Sequence, residues 1–315
     1  MSISTVFSNG TKTLKKSALS CPGQGLDLLA AFAGFHKHKS LFKPLLDEVD
    51  DALGEKLSLS LFDKNPQLDL MRTYYAQPAI LTATVCIHEY IRRVHGVDLI
   101  RQPEVEYILG HSLGEYSALA VSGMLEAGTA VQLVRKRAQL MEDLVLNSDN
   151  YEMKALMFRA PFFEKVLKHC NENQILANVN TCQQIVVAGE KQKIQAVLDQ
   201  LPKRTVAKIT SLPVKIPFHN EKLRPIEAEL LKWIEHKEIK MPIKPFILNL
   251  TGKVWLDPQH ILSSILRTNS RPVQWVNSME TLKTEGCNTV YALGPGEILS
   301  GLNSKFMESI PLSEP

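Results

Sequence analysis

Gly110-His111-Ser112-Leu113-Gly114 sets a serine between two glycines, directly after an apolar run over 105–109 and directly before a helical stretch. In that setting Gly-x-Ser-x-Gly is a sharp strand-to-helix turn, which exposes the hydroxyl above a sheet and aims a helix N-terminus at it. The plainer alternative is a serine that caps a helix. A serine hydroxyl is inert near neutral pH without a base, so one of the nine histidines should converge on Ser112. His111 sits beside it, and on a strained elbow neighbouring side chains point apart. His219, in Ile216-Pro217-Phe218-His219-Asn220, is the better candidate, because this short element between two domains offers little helix or strand in which to bury a structural histidine. No acid can be assigned as the third member of a triad.

Arg137 is the second chemical signal. Ala130, Leu133, Val134, Arg137, Leu140 and Met141 recur at spacings of three and four, so the guanidinium lies on the stripe that faces the core, whereas Arg135 and Lys136 fall off it. A buried unpaired guanidinium costs several kcal/mol. Arg137 therefore pairs either with a distant Asp or Glu or with the carboxylate of a substrate.

The elements that must position these residues read as an α/β chain with a largely parallel sheet. Strands are expected over 17–21, 105–109, 246–250 and 289–293. A helix is expected over 79–94, entered through Gln77-Pro78, and a helical region over 115–143 with a break near Gly123 and Gly128. From 151 onward the order becomes strand, helix, strand, strand, helix, strand, which is the ferredoxin-like pattern. The expected organisation is an α/β-hydrolase-like large domain in two parts, 17–150 and 214–315, with a ferredoxin-like small domain inserted over 151–213.

The bulk numbers remove several classes of function. With 315 residues, 44% hydrophobic and 22% charged, the chain can bury a full core. No apolar run approaches a membrane span. A formal charge of +3 without basic runs argues against nucleic acid and permits an acidic partner. The five cysteines, Cys21, Cys86, Cys170, Cys182 and Cys287, are scattered without a Cys-x-x-Cys pair, which implies a reducing compartment and no structural metal. The segment before Asp27 carries no acid, is rich in Ser and Thr and holds Lys12, Lys15 and Lys16. That composition is either the tail of an organelle transit peptide or a frayed terminus.

Taken together, the chain resembles the malonyl-CoA:acyl carrier protein transacylase family, relatives of the acyltransferase domains of fatty acid and polyketide synthases. The resemblance runs through Pro22-Gly-Gln-Gly25, Gln77-Pro-Ala79, Gly110-His-Ser-Leu-Gly-Glu115, Arg137, Asn178-Val-Asn180 with Val186-Val-Ala-Gly189, Pro217-Phe-His219, Pro272-Val-Gln-Trp275 and Gly294-Pro-Gly296, in family order. The Pro-Phe-His-Asn variant, with Leu223-Arg-Pro225 behind it, resembles the fungal mitochondrial branch, which would place the chain in the mitochondrial matrix, with the cytoplasm as the alternative.

The resemblance implies a ping-pong reaction without a cofactor, with malonyl-CoA and acyl carrier protein as partners and a monomeric chain. Ser112 would be the nucleophile and His219 its base. The backbone N–H groups of Gln24 and Leu113 would form the oxyanion hole, and the backbone carbonyl of Gln274 would orient the histidine. Arg137 would clamp the malonyl carboxylate with Gln77 nearby, and Asn180, Gln184 and Lys208 would touch CoA. Phe218 resembles the malonyl-selective variant, its ring crowding an α-methyl group, although simple packing is its plainer role. Two departures stand out: Cys21 replaces a usual aromatic or aliphatic residue and reads as a small core residue, and Leu26-Asp27 replaces a frequent Ser-Gln. The rivals are a serine hydrolase, which has no use for Arg137, and a non-catalytic carrier-docking protein, which would tolerate loss of Ser112.

Overall fold

The computed structural model describes residues 16–25, 34–62, 68–146 and 148–313; Leu26 and Asp27, like Lys12 and Lys15, lie outside them. Among these residues ten strands form two sheets. β1 (Ser17–Cys21), β2 (Val105–Gly110), β7 (Phe246–Ile247), β8 (Val254–Trp255), β9 (Thr289–Leu293) and β10 (Glu308–Leu312) form the first, in the order β10-β9-β1-β2-β7-β8. All its pairings are parallel except the β7/β8 hairpin. β1 is buried along its whole length, as a central strand covered on both faces by helices must be. β10 was not foreseen; it is an edge strand, where Pro311 costs no ladder hydrogen bond.

β3 (Tyr151–Phe158), β4 (Leu176–Thr181), β5 (Gln184–Glu190) and β6 (Val206–Ser211) form the second sheet, antiparallel and ordered β4-β5-β3-β6, with helices Phe163–Glu172 and Lys191–Asp199 between its strands. This is the strand order of a ferredoxin-like sheet. The second sheet is tied to the segment before the Trp275–Thr284 helix, where Val179 N–H donates to the Val273 carbonyl and Val273 N–H to the Ala177 carbonyl.

The helices differ from the expectation in their limits. The one expected over 79–94 spans Thr73–His95, so Pro78 stands inside it rather than at its start. Its earlier first turn is supported by Glu142 of another helix, whose carboxylate accepts from the Tyr74 N–H at 2.9 Å, a cap with no local sequence signature. The region after the elbow is two helices, Gly114–Val121 and Ala127–Val145, separated by a turn in which Gly123 adopts φ 72°. The strand expected over 246–250 ends at Ile247, because the chain turns at Leu248 and Asn249 into the β7/β8 hairpin.

Candidate active site

Strand β2 delivers the chain into the elbow and the Gly114–Val121 helix leaves it, with Ser112 at φ 54° between them. Such backbone is strained for a non-glycine residue and persists only where its surroundings hold it. The flanking glycines are required by contact. A Cβ on Gly110 would lie 1.9 Å from the carbonyl carbon of Gly114, and one on Gly114 would lie 2.0 Å from the Cys21 carbonyl oxygen. Asn249 holds the turn: its Oδ1 accepts from the Ser112 N–H at 2.8 Å and its Nδ2 donates to the Gly110 carbonyl at 2.6 Å. The same residue's N–H donates to Glu115 Oε1 at 2.8 Å.

His219 Nε2 stands 2.6 Å from Ser112 Oγ, and its Nδ1 stands 2.7 Å from the Thr268 carbonyl oxygen. A carbonyl only accepts, so Nδ1 carries the proton and Nε2 presents its lone pair to the serine hydroxyl. Burial drives the imidazole down to about 3, with the positive charge of Arg137 adding to the effect. The ring is therefore a neutral base at neutral pH. The chain reaches it through a second strained position, His219 itself at φ 60°. His111 turns away as expected, its Nε2 lying 3.0 Å from Asn180 Oδ1 and its ring edge-on to Trp275.

Arg137 is 2% exposed and lines the same cleft as Ser112 and His219. Its Nε donates to Asn269 Oδ1 at 2.6 Å, and its guanidinium lies over the Tyr116 ring, 5.1 Å from the centroid. No carboxylate of the described residues comes within ion-pair distance of it. Glu115 is the acid whose charge reaches it, and burial pushes that carboxyl up to about 8, so it is mostly neutral near pH 7. The guanidinium is thus a buried positive charge without a carboxylate partner among the described residues, on the wall of a cleft of about 1320 Å³.

A strained serine under a neutral imidazole, with a buried cation in reach, suits acyl transfer of a chain ending in an anion. The comparisons agree. Residues 21–292 match the acyl transferase domain family. The chain is 30% identical over 308 residues to the malonyl CoA-acyl carrier protein transacylase of Bacillus subtilis, covering 96% of this chain and 95% of that one. The chain belongs to the malonyl-CoA:acyl carrier protein transacylase family. Its fold matches the acyl carrier protein S-malonyltransferase of Vibrio cholerae with a TM-score of 0.85 at 28% identity, covering 95% and 97% of the two chains. It also matches a malonyl-transacylase solved in complex with its type II PKS acyl-carrier protein, with a TM-score of 0.83 at 26% identity and coverage of 95% and 96%.

Other positions carried over from this family fall into place unevenly. Gln24 and Leu113 line the cleft beside Ser112, and no hydrogen bond among the described residues engages either backbone N–H. Phe218 lines the cleft half-buried, next to the base. Asn180 and Gln184 line it as well, joined by a 3.2 Å hydrogen bond. Lys208 does not. It lies exposed on β6 opposite Met157, whereas the lysines on the cleft wall are Lys283, near the end of the Trp275–Thr284 helix, and Lys305, in the turn after the Ile298–Asn303 helix. Gln77 is fully buried beneath the wall, its Nε2 facing the Met141 sulfur at 3.9 Å and its Oε1 without a partner among the described residues.

The expectation for Gln274 is not met. Its carbonyl accepts from Ser278 at the start of the Trp275–Thr284 helix, and the carbonyl that orients His219 belongs to Thr268, six residues earlier, in a 3-10 turn. Cys21 is buried in the core, where burial pushes its thiol up, as a small packing residue requires.

Proposed function

We propose that the chain transfers a malonyl group from malonyl-CoA to the phosphopantetheine thiol of an acyl carrier protein, through an ester on Ser112. His219 Nε2 takes the hydroxyl proton as Oγ attacks the thioester carbonyl, and the N–H groups of Gln24 and Leu113 receive the oxyanion, each contributing roughly 3 kcal/mol of barrier lowering. Collapse breaks the C–S bond, and the imidazolium returns its proton to the departing CoA thiolate. The carrier thiol then gives its proton to His219 and attacks the ester by the reverse path.

Arg137 holds the malonyl carboxylate. The observation that carries this reading is the 2.6 Å contact of His219 with Ser112 in the same cleft as a buried guanidinium lacking any carboxylate partner among the described residues. Acetyl-CoA leaves that cation unpaired, and a site built around a polar partner rejects its absence by up to about 10⁴. Incubation with labelled malonyl-CoA, with and without phosphopantetheinylated carrier protein, tests the proposal: label is expected on the carrier, and free malonate released equally in both tubes would mean a hydrolase.

The reaction belongs to type II fatty acid synthesis. The acid-free, Lys-containing start and the Pro217-Phe-His-Asn220 variant support the mitochondrial matrix as its place. Protease-protected import of the full chain into isolated mitochondria checks this; a chain that stays outside and uncut belongs to the cytoplasm.

A further inference from the structure

The 3-10 turn Thr268–Ser270 touches both halves of the chemistry. The Thr268 carbonyl fixes the tautomer of His219, and the next side chain, Asn269, grips Arg137. Asn269 is 1% exposed and uses its whole amide: Oδ1 accepts from Arg137 Nε at 2.6 Å, while Nδ2 donates to the Tyr116 hydroxyl at 3.0 Å and to the Leu266 carbonyl at 2.8 Å. With two donations fixing the amide, the position and direction of Oδ1 are set before any substrate arrives. The turn is itself anchored, by Thr268 Oγ1 on the Ser264 carbonyl at 2.9 Å and by Ser270 Oγ on Glu227.

A guanidinium is a flat fork of five donors, and the edge it presents depends on its rotation about the last side-chain bonds. Engaging Nε fixes that rotation and leaves the terminal nitrogens, beside the Tyr116 hydroxyl, without a carboxylate partner among the described residues. The gripping atom is also neutral. An amide oxygen orients the cation without cancelling its charge, whereas a carboxylate at the same place would form an internal ion pair in a low-dielectric site and repel an incoming anion.

We propose that Asn269 is a specificity-determining positioning residue: it holds Arg137 by Nε so that the guanidinium keeps both its charge and its two-pronged edge for the carboxylate of the acyl group. The inference rests on the reading of Arg137 as partner of the malonyl carboxylate. It extends that reading to a residue that touches neither substrate nor Ser112.

Steady-state transfer of malonyl and acetyl groups to carrier protein by wild type, Asn269→Asp and Asn269→Ala tests it. Asn269→Asp preserves shape, and it is expected to lower malonyl kcat/KM by about 100-fold while acetyl kcat/KM stays within about threefold of wild type. Asn269→Ala should lower malonyl kcat/KM by about 10-fold, mainly through KM, again sparing acetyl. Equal losses for both acyl groups in both variants, or an unchanged malonyl preference, would overturn the proposal. A wild type that shows no preference for malonyl would instead sink the role given to Arg137, and is recognised before any variant is made.

Discussion

Glu115 Oε1 accepts the backbone N–H of Asn249 at 2.8 Å, while the side chain of the same asparagine brackets the serine elbow from Gly110 to Ser112. A carboxyl on the elbow helix thereby places the residue that holds the elbow. Removing the bracket takes these partners from the half-buried Ser112 N–H and the buried Gly110 carbonyl, at about 1–3 kcal/mol each. Asn249→Ala should therefore destabilise the fold by about 2–4 kcal/mol and slow acylation about 100-fold with little change in KM for malonyl-CoA. Chemical denaturation and single-turnover kinetics read the two effects; full activity in a destabilised protein would show that the strained turn holds itself.

Glu115 also makes stability depend on pH in a defined direction. Its folded-state carboxyl titrates near 8 because burial disfavours the charged form, against an ordinary value of 4.5. Between those limits the folded protein binds the extra proton, so the stability contributed by neutral Glu115 is present at low pH and is lost as pH rises through the window. Glu115→Gln should remove a slope of up to about 1.4 kcal/mol per pH unit between pH 5 and 8. Unfolding curves of both proteins across that range check it; parallel slopes would mean that Glu115 is ionised throughout.

His219 carries the second pH signature. Burial holds its imidazole down near 3, so protonation of the base should not limit acylation until the solution is far more acidic than for an ordinary histidine. The rate of acyl-enzyme formation is expected to stay flat from pH 8 to 5. A midpoint near 6.5 in rapid-quench measurements would place the imidazole in contact with water.

Much of this site can be read from the sequence because it is written in side chains of distinctive type. Gly110, Ser112 and Gly114 mark the elbow, His219 lies in an element with no other use for it, and the stripe around Arg137 announces a buried charge. The supporting residues are less legible. Thr268 acts through its carbonyl, which every residue possesses, and only the path of the 3-10 turn selects it over Gln274. Asn249 and Asn269 are uncharged and sit in irregular segments, the β7/β8 hairpin and the turn after the Pro258–Arg267 helix, where neither a period of two nor one of 3.6 flags a buried face. The edge strand β10 is hidden by Pro311, which argues against a strand except at an edge.

The most direct test is the intact mass of the protein after brief exposure to malonyl-CoA or acetyl-CoA, for wild type, Ser112→Ala and Arg137→Ala. Wild type should gain one malonyl group and far less acetyl, Ser112→Ala should gain neither, and Arg137→Ala should lose the malonyl adduct while keeping or increasing the acetyl one. A malonyl adduct that survives in Ser112→Ala, or that forms undiminished in Arg137→Ala, would contradict the account.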